Sequence, residues 1–177
     1  MALFKIILKQ MELPIFKRYP SSKVNKALEL AFKTKECRKQ KAQIIVAEVN
    51  GNVAGMAFGY PDESNCAVDS LLCHYFPQVG LPRIKSIYDE DSSESFNNEW
   101  YLDSLVVNPK FRGQGIASAL LNYLPKIALT HHKKIIGLDV DFKNPTAAKL
   151  YRRFGFYKVT TLKISAHNYQ HLQLKIT

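Results

Sequence analysis

The chain has 177 residues with a net charge of +10, and 46% of its residues are hydrophobic, which is the balance of an ordinary globular protein with its own core. No apolar run reaches membrane-spanning length, and we expect no secretory signal in the lysine-broken segment at residues 2–9. Cys37, Cys66 and Cys73 fit neither a zinc spacing nor a disulfide framework, so we expect a cytoplasmic protein without a metal.

The first third of the chain predicts a strand, a helix and a β-hairpin. Residues 2–9 have the composition of a first or edge strand, and residues 13–20 are irregular. Ser21 or Ser22 is a candidate N-cap for a helix over residues 23–39, because the apolar residues there repeat at helical spacing. Two apolar strands, at residues 43–49 and 53–60, flank the turn signal Asn50-Gly51-Asn52 and predict an antiparallel hairpin.

Residues 61–98 form a long insertion for a compact domain, and we expect them to be irregular apart from a short helix at residues 68–76. The interval between Lys85 and Lys110 has no Lys, Arg or His. It leads with a strongly negative charge into the next predicted strand. Its six carboxylates belong to Asp89, Glu90, Asp91, Glu94, Glu99 and Asp103.

The stretch from Leu102 to Ala117 predicts a strand, a glycine loop and the start of a helix. An apolar run at residues 105–107 is ended by Asn108-Pro109, and the loop Arg112-Gly113-Gln114-Gly115 follows. Glycine has no Cβ and the first amides of a helix are unpaired, so such a loop is an anion site for a phosphate group. The alternative is a strand-to-helix turn that binds nothing.

The rest of the chain predicts two helices and three strands. The helix after the loop is expected to run to about His131, with a kink or break at Pro125, which removes a backbone hydrogen bond. Asn144-Pro145 starts a second helix with the asparagine as N-cap, and Gly155 fits its C-terminal cap. The strands are predicted at residues 135–140, 156–164 and 169–176.

Two motifs in this half resemble the GNAT superfamily of N-acetyltransferases. Arg112, Gly115 and Ala117 match Q/R-x-x-G-x-G/A, the pattern of its acetyl-CoA loop. After a helix and a strand, residues 144–156 match N-x-x-A-x-x-L-Y-x-x-x-G-F. By contrast, a P-loop pattern is absent, and the dinucleotide fingerprint is incomplete because Ser118 stands at its third glycine position.

The resemblance implies an α/β (α+β) fold with a mixed, strongly twisted central sheet flanked by helices, as one domain over residues 1–177. It implies acetyl-CoA as cosubstrate, held where two central parallel strands splay apart. The pantetheine arm would pair with one strand like an added strand, and loop amides would hold the pyrophosphate. The implied cofactor-binding residues are Leu105, Val106, Val107, Arg112, Gly113, Gln114, Gly115, Ile116, Ala117, Ser118 and Asn144, the last of which capping explains equally well.

Acetylation of an amine also needs a group that accepts the ammonium proton and a group that protonates the departing thiolate. Glu99 and Asp103 are candidate bases because a spacing of four puts both on one face of a regular strand. We slightly prefer Glu99, as nearer the open acceptor side. The resemblance makes Tyr151 the general acid, since a phenol stays protonated at neutral pH. The alternatives are a core tyrosine and ordinary surface or hydrogen-bonding acids.

These observations lead to the hypothesis of an acetyl-CoA-dependent N-acetyltransferase that acts on a primary amine by direct attack in a ternary complex. The acidic interval favours a small cationic amine. The alternative is a non-catalytic CoA- or nucleotide-binding module. We expect no membrane or nucleic-acid partner, and a homodimer is an open alternative because dimers are frequent in the family. His167 and His171 either line the acceptor site or, as we expect, lie at the surface.

Overall fold

A six-stranded mixed sheet organises the computed structural model, which describes residues 3, 6, 15–39, 42–87, 95–164 and 167–176. The strand order is β1-β2-β3-β4-β6-β5, and neighbours are antiparallel except for the parallel pair β3 and β4. The strands are β1 (Gln43–Val49), β2 (Asn52–Pro61), β3 (Trp100–Val107), β4 (Ile135–Asp141), β5 (Tyr157–Ile164) and β6 (His167–Lys175).

Helices cover both faces of this sheet and bury a separate apolar cluster on each. The first cluster joins Val24 and Leu28 to Phe58 of β2, and the second joins Leu120 and Leu124 to Ile136 of β4. The predicted α/β fold, a mixed sheet flanked by helices, is confirmed. The helices are α1 (Ile15–Arg18), α2 (Ser21–Phe32), α3 (Lys35–Lys39), α4 (Asn65–His74), α5 (Ile116–Thr130) and α6 (Pro145–Arg153).

The N-terminal predictions need correction. Only Leu3 and Ile6 are described within residues 2–9, and both are helical, so the predicted strand is wrong at those two positions. The single helix predicted over residues 23–39 is divided into α2 and α3. Ser21 and Ser22 are the first residues of α2 rather than its N-cap, which is Pro20; proline has no side-chain acceptor, so no side chain caps the helix. Residues 15–18 are a helical turn rather than irregular.

The hairpin and the insertion both take definite structure. Asn50 and Gly51 have φ values of 50° and 72°, as the tight turn between β1 and β2 requires. Within the insertion, α4 begins three residues before the short helix predicted at residues 68–76 and ends two residues before its predicted end, and it buries Val68 and Leu72 in the first apolar cluster. Residues 61–87 of the insertion are therefore structured and help to cover that face of the sheet.

Pro125 does not break α5, which runs from residue 116 to residue 130. Leu121, Leu124 and Ala128 on its inner face are buried in the second apolar cluster. Burying a leucine side chain contributes about 2 kcal/mol, so this packing offsets the backbone hydrogen bond that proline removes. The predicted break is wrong.

Candidate active site

The two parallel strands at the centre of the sheet separate towards their carboxyl ends. β3 and β4 pair only from Trp100 opposite Ile136 to Leu102 opposite Leu138. Beyond that point β3 continues to Val107 and is paired on its other side to β2. The opening between the strands therefore exposes an edge of β3 to which an extended ligand can add, as the resemblance implies.

The glycine loop lies directly beyond the end of β3. Gly113 and Gly115 have φ values of 75° and 78°, in the left-handed region that favours glycine. A Cβ built on either glycine would meet nothing within 4 Å, so the space beside the loop is open. Gly115 also forms the N-cap of α5, whose first amides have no partner within the helix. The geometry is that of an anion site.

An open cavity of about 530 Å³ joins the loop to the opening in the sheet. Arg112, Lys149 and Arg153 contribute three cations to its lining, which suits an anionic ligand. The loop and the first turn of α5 contain five further predicted residues, Gly113, Gln114, Gly115, Ile116 and Ser118. The side chain of Val106, by contrast, is buried in the apolar cluster on the other face of the sheet. The predicted residues whose side chains line the cavity are Leu105, Val107, Arg112, Ala117, Asn144 and Tyr151.

Two of these residues come from the start and the end of α6. The side chain of Asn144 accepts a hydrogen bond from the Ala147 amide at 3.2 Å, so its capping role is present alongside its place in the cavity wall. The ring of Tyr151 packs edge-on against Phe156 at 5.8 Å, which fixes its direction. Burial raises the pKa of Tyr151 to about 12, so this phenol keeps its proton at neutral pH.

Asp103 occupies an irregularity in β3. Leu102 is opposite Gly59 and Ser104 is opposite Phe58, so Asp103 is an extra residue with no counterpart in β2. This bulge reverses the side-chain alternation beyond it. Consequently Asp103 shares the α1–α4 face with Tyr60, whose hydroxyl donates to Oδ2 at 3.2 Å.

The surroundings of Asp103 tune its acidity. Burial raises the pKa of this carboxyl, and the negative charge of Asp139 acts in the same direction. Hydrogen bonds from the hydroxyls of Ser104 and Tyr60 oppose the change by stabilising the carboxylate. Because its residue is only half-buried, Asp103 is the candidate base that an acceptor can approach.

Glu99 has a different environment from the one we expected. It is fully buried, and a Cβ on Gly137 of β4 would collide with its carboxyl group. The backbone amide of Phe96 donates to Oε1 at 2.7 Å, and the Gln173 side chain donates to Oε2 at 3.1 Å. The expectation that Glu99 lies nearer an open acceptor side is therefore wrong.

His171 links Glu99 to a further carboxylate. Its Nε2 lies 3.2 Å from Glu99 Oε2, and its Nδ1 lies 2.9 Å from Asp139 Oδ1. The Tyr101 hydroxyl donates to the other oxygen of Asp139 at 3.1 Å. Burial disfavours the charged imidazole, but the hydrogen bonds and charges of Asp139 and Glu99 outweigh it and raise the pKa of His171 to about 9. The ring is therefore cationic at neutral pH and donates from both nitrogens.

The family of the chain is decided by its similarity to known proteins. Residues 8–156 match the family model "Acetyltransferase (GNAT) family". The chain belongs to the GNAT family of acetyltransferases. A crystal structure of an acetyltransferase is 40% identical, with a TM-score of 0.82, and the match covers 99% of this chain and 92% of that chain.

Two further relatives are N-acetyltransferases by name. An N-acetyltransferase from Staphylococcus aureus Mu50 is 26% identical, with a TM-score of 0.78, over 98% of this GNAT chain and 92% of its own. Spermine/spermidine N(1)-acetyltransferase of Bacillus subtilis (strain 168) is 28% identical over 100 residues. That match covers 51% of this chain and 66% of the relative, slightly less than two thirds of its length.

Family membership confirms the predicted acetyltransferase and its acetyl-CoA chemistry. The residues present fit this cosubstrate, because open space beside two left-handed glycines, free helix amides and three cations suit its phosphates. In the described part of the chain no group of three or more His, Cys, Asp or Glu is arranged to hold a metal ion. No helix among those residues is long and apolar enough to cross a membrane.

Four polar residues form a cluster in this GNAT site, and the sequence singled out only Glu99 and Asp103 as catalytic candidates. The other two are Asp139 and His171. The prediction of a surface His171 is wrong, since the residue is fully buried, and His167 is mostly buried beside Asp141 with Nδ1 at 2.8 Å from Oδ2. Asp139 was not singled out either. The available signal is the alternation that puts Asp139 and His171 on one face, but using it requires knowing that β4 pairs with β6.

Proposed function

We propose that this GNAT acetyltransferase moves the acetyl group of acetyl-CoA to a primary amine of a small cationic acceptor by direct attack in a ternary complex. The observation that carries the proposal is the position of half-buried Asp103. It lies where β3 and β4 begin to separate, on the sheet face opposite the helices α5 and α6. Donor and acceptor would therefore approach the opening from opposite faces of the sheet.

The donor side is formed by the loop, the free edge of β3 and α6. The amides of residues 113–117 bind the pyrophosphate, and Arg112, Lys149 and Arg153 add positive charge around it. Backbone groups near Leu105 and Val107 hold the pantetheine arm in line with the sheet. These contacts position the thioester at the opening between the strands.

The acceptor side supplies the base. Asp103 accepts a proton from the ammonium group, which frees the nitrogen lone pair for attack on the thioester carbonyl. Its raised pKa makes it a stronger base than an exposed aspartate. We prefer Asp103 to Glu99, because no part of the Glu99 side chain is exposed and its carboxylate already accepts from Phe96, His171 and Gln173.

Tyr151 supplies the acid. Attack forms the carbon–nitrogen bond of the amide and breaks the carbon–sulfur bond of the thioester, and the electron pair of that bond leaves on sulfur. Tyr151 then donates its hydroxyl proton to the thiolate, and the phenolate regains a proton from solvent as the nitrogen releases the second proton that the amide does not keep. Tyr151 is one of the residues that line the cavity proposed for the donor, which supports this role.

The charges on the acceptor side favour a cation over a neutral or acidic amine. Asp103, Asp139 and Glu99 carry three carboxyl groups close together, and His171 provides one positive charge among them. The relative in Bacillus subtilis, which is named a spermine/spermidine acetyltransferase, points to a polyamine. We propose a small polyamine or diamine as the acceptor class.

Several finer predictions stay predictions. The acidic residues at positions 89, 90, 91 and 94 lie outside the described residues, and we retain the proposal that they attract the cationic acceptor. A single domain, a cytoplasmic location and a homodimer are likewise retained from the sequence, as are the absence of a nucleic-acid partner and the roles of the cofactor-binding residues.

The test is release of the CoA thiol from acetyl-CoA across a panel of amines matched in length. We expect turnover with diamines and polyamines, and at least about tenfold lower kcat/KM with uncharged amines, because the loss of a close charge pair costs more than 1.4 kcal/mol. A best acceptor that is neutral or acidic would contradict the acceptor class. Tight CoA binding without turnover of any amine would favour the non-catalytic module.

A further inference from the structure

The strongest feature without a role in the proposed function is a buried row of hydrogen-bonded side chains that runs from Glu99 through His171 to Asp139. Its three members come from the segment before β3, from β6 and from β4. The side chains of Glu99 and His171 are 0% exposed, and that of Asp139 is 4% exposed. Such a group is costly to bury unless its charges are paired, so its retention next to a catalytic opening calls for a reason.

The surroundings of His171 are defined on each side. The charged groups that face it are Asp139 and Glu99, and the ring of Phe96 packs against it with centroids 4.3 Å apart. Its register partner in β5 is Thr160, which carries no charge. Asp139 in turn accepts a hydrogen bond from the Tyr101 hydroxyl, and its negative charge raises the pKa of Asp103.

We propose that His171 is a positioning residue for acetyl transfer: clamped between Glu99 and Asp139, it holds the Asp139 carboxylate at the opening between β3 and β4 and sets the negative charge that Asp103 experiences. This inference rests on the proposed function. His171 touches neither donor nor acceptor and acts through Asp139 on the base.

A charge-based role predicts opposite effects for two changes that each replace a charged side chain by neutral glutamine. His171→Gln removes the positive charge and leaves Glu99 and Asp139 uncompensated, so the negative potential at Asp103 grows and its proton is held more tightly. Glu99→Gln removes a negative charge and leaves His171 to act on Asp139 alone, so the potential falls. The double variant removes one charge of each sign and returns close to the original balance.

The experiment measures kcat/KM against pH for the wild-type enzyme and these three variants, with the best cationic acceptor from the amine panel. We expect the acidic limb to move up by about one pH unit in His171→Gln and down by a similar amount in Glu99→Gln, which is the usual size of a close charge effect. The double variant should lie within about half a unit of the wild type, by the same charge balance. KM for acetyl-CoA should not change.

The chain offers a matched control in His167, which pairs with Asp141 on the same two strands. His167→Gln should leave the acidic limb in place. If His171→Gln does not fold, Glu99→Gln alone still gives a predicted downward shift of the acidic limb. Acidic limbs that stay in place, or that move in the same direction in both single variants, would overturn the proposal.

A second readout separates this inference from the proposed function. Titration of the His171 ring by NMR, assigned by comparison with His171→Gln, needs no acceptor. We expect a ring that stays protonated through neutral pH, and a midpoint near the ordinary value of about 6.5 would overturn the proposal. A wild-type enzyme that acetylates no cationic amine would instead overturn the proposed function.

Discussion

His171 Nε2 and Glu99 Oε2 lie 3.2 Å apart in a fully buried contact between residues separated by 72 positions in sequence. The contact joins β6, the last strand in the chain, to the residue that directly precedes β3. Since His171 also holds Asp139 of β4, one side chain braces both sides of the point from which the parallel strands diverge. Stability and catalysis are therefore linked through the same imidazole.

This link predicts a pH dependence of stability. The folded pKa of His171 is raised from 6.5 to about 9, so its contribution is fully present below pH 6.5 and is lost as the pH rises through 9. We expect the free energy of unfolding to fall by on the order of 3 kcal/mol across that window, measured by urea denaturation. Cys73 and Tyr151 have ordinary pKa values of 9.0 and 10.0, so in the unfolded chain they lose their protons only at or above the upper end of this window. They therefore add little to the change in the free energy of unfolding across it.

The quantity that tests this prediction is the slope of the free energy of unfolding against pH between 6.5 and 9. His171→Gln should be less stable than the wild type at pH 6.5 and should show little further loss up to pH 9. Equal slopes for the wild type and His171→Gln would show that the imidazole gains no proton affinity on folding.

The left-handed glycine of the loop gives a second prediction. Gly115→Val should lower CoA affinity by at least about tenfold, because a branched side chain fills the open space beside the amides and strains a φ of 78°. Isothermal titration calorimetry measures the affinity for CoA. Gly51→Val is the matched control, since Gly51 has a φ of 72° and equally open surroundings but lies in the hairpin between β1 and β2.

Both substitutions should cost about 1–2 kcal/mol of stability through the same backbone strain. Only the one at position 115 should affect CoA. Unchanged binding in a folded Gly115→Val variant would remove the loop from the donor site.

Tyr151→Phe tests the acid. The ring and its contact with Phe156 remain, and only the hydroxyl is lost. We expect kcat to fall by roughly ten- to a thousandfold with CoA affinity retained, which is near the range for losing a general acid. Tyr157→Phe, an exposed tyrosine in β5, serves as the control. Wild-type kcat in Tyr151→Phe, with chemistry shown to limit turnover, would leave Tyr151 as a packing residue.

The features that were predictable from sequence are those encoded by neighbouring residues. The glycine loop, the Asn144 cap and the face of α6 that carries Tyr151 all depend on residues within a few positions of each other. The parallel arrangement at the centre of the sheet was implied by the resemblance that these motifs carry. These local signals were enough to identify the family and to propose a donor side.

The acceptor side was only partly predictable because it depends on contacts between distant strands. Regular alternation would put Asp103 on the same face as Leu105 and Val107, whereas the bulge at Asp103 separates them. Placing His171 required the order β4-β6-β5, which no local pattern contains. The burial of Glu99 similarly depends on the absence of a side chain at Gly137 in a neighbouring strand.

The central claim is that Asp103 is the base for a cationic amine, and the most direct test is the single-turnover rate of acetyl transfer by Asp103→Asn. Asparagine keeps the size of the side chain, and its amide oxygen can still accept from the Tyr60 hydroxyl, but it cannot accept the ammonium proton. With a diamine acceptor at saturating acetyl-CoA, we predict a rate at least about a hundredfold below that of the wild type, with CoA affinity unchanged. A folded Asp103→Asn variant that transfers the acetyl group within threefold of the wild-type rate (roughly 0.7 kcal/mol in the barrier) would contradict the account.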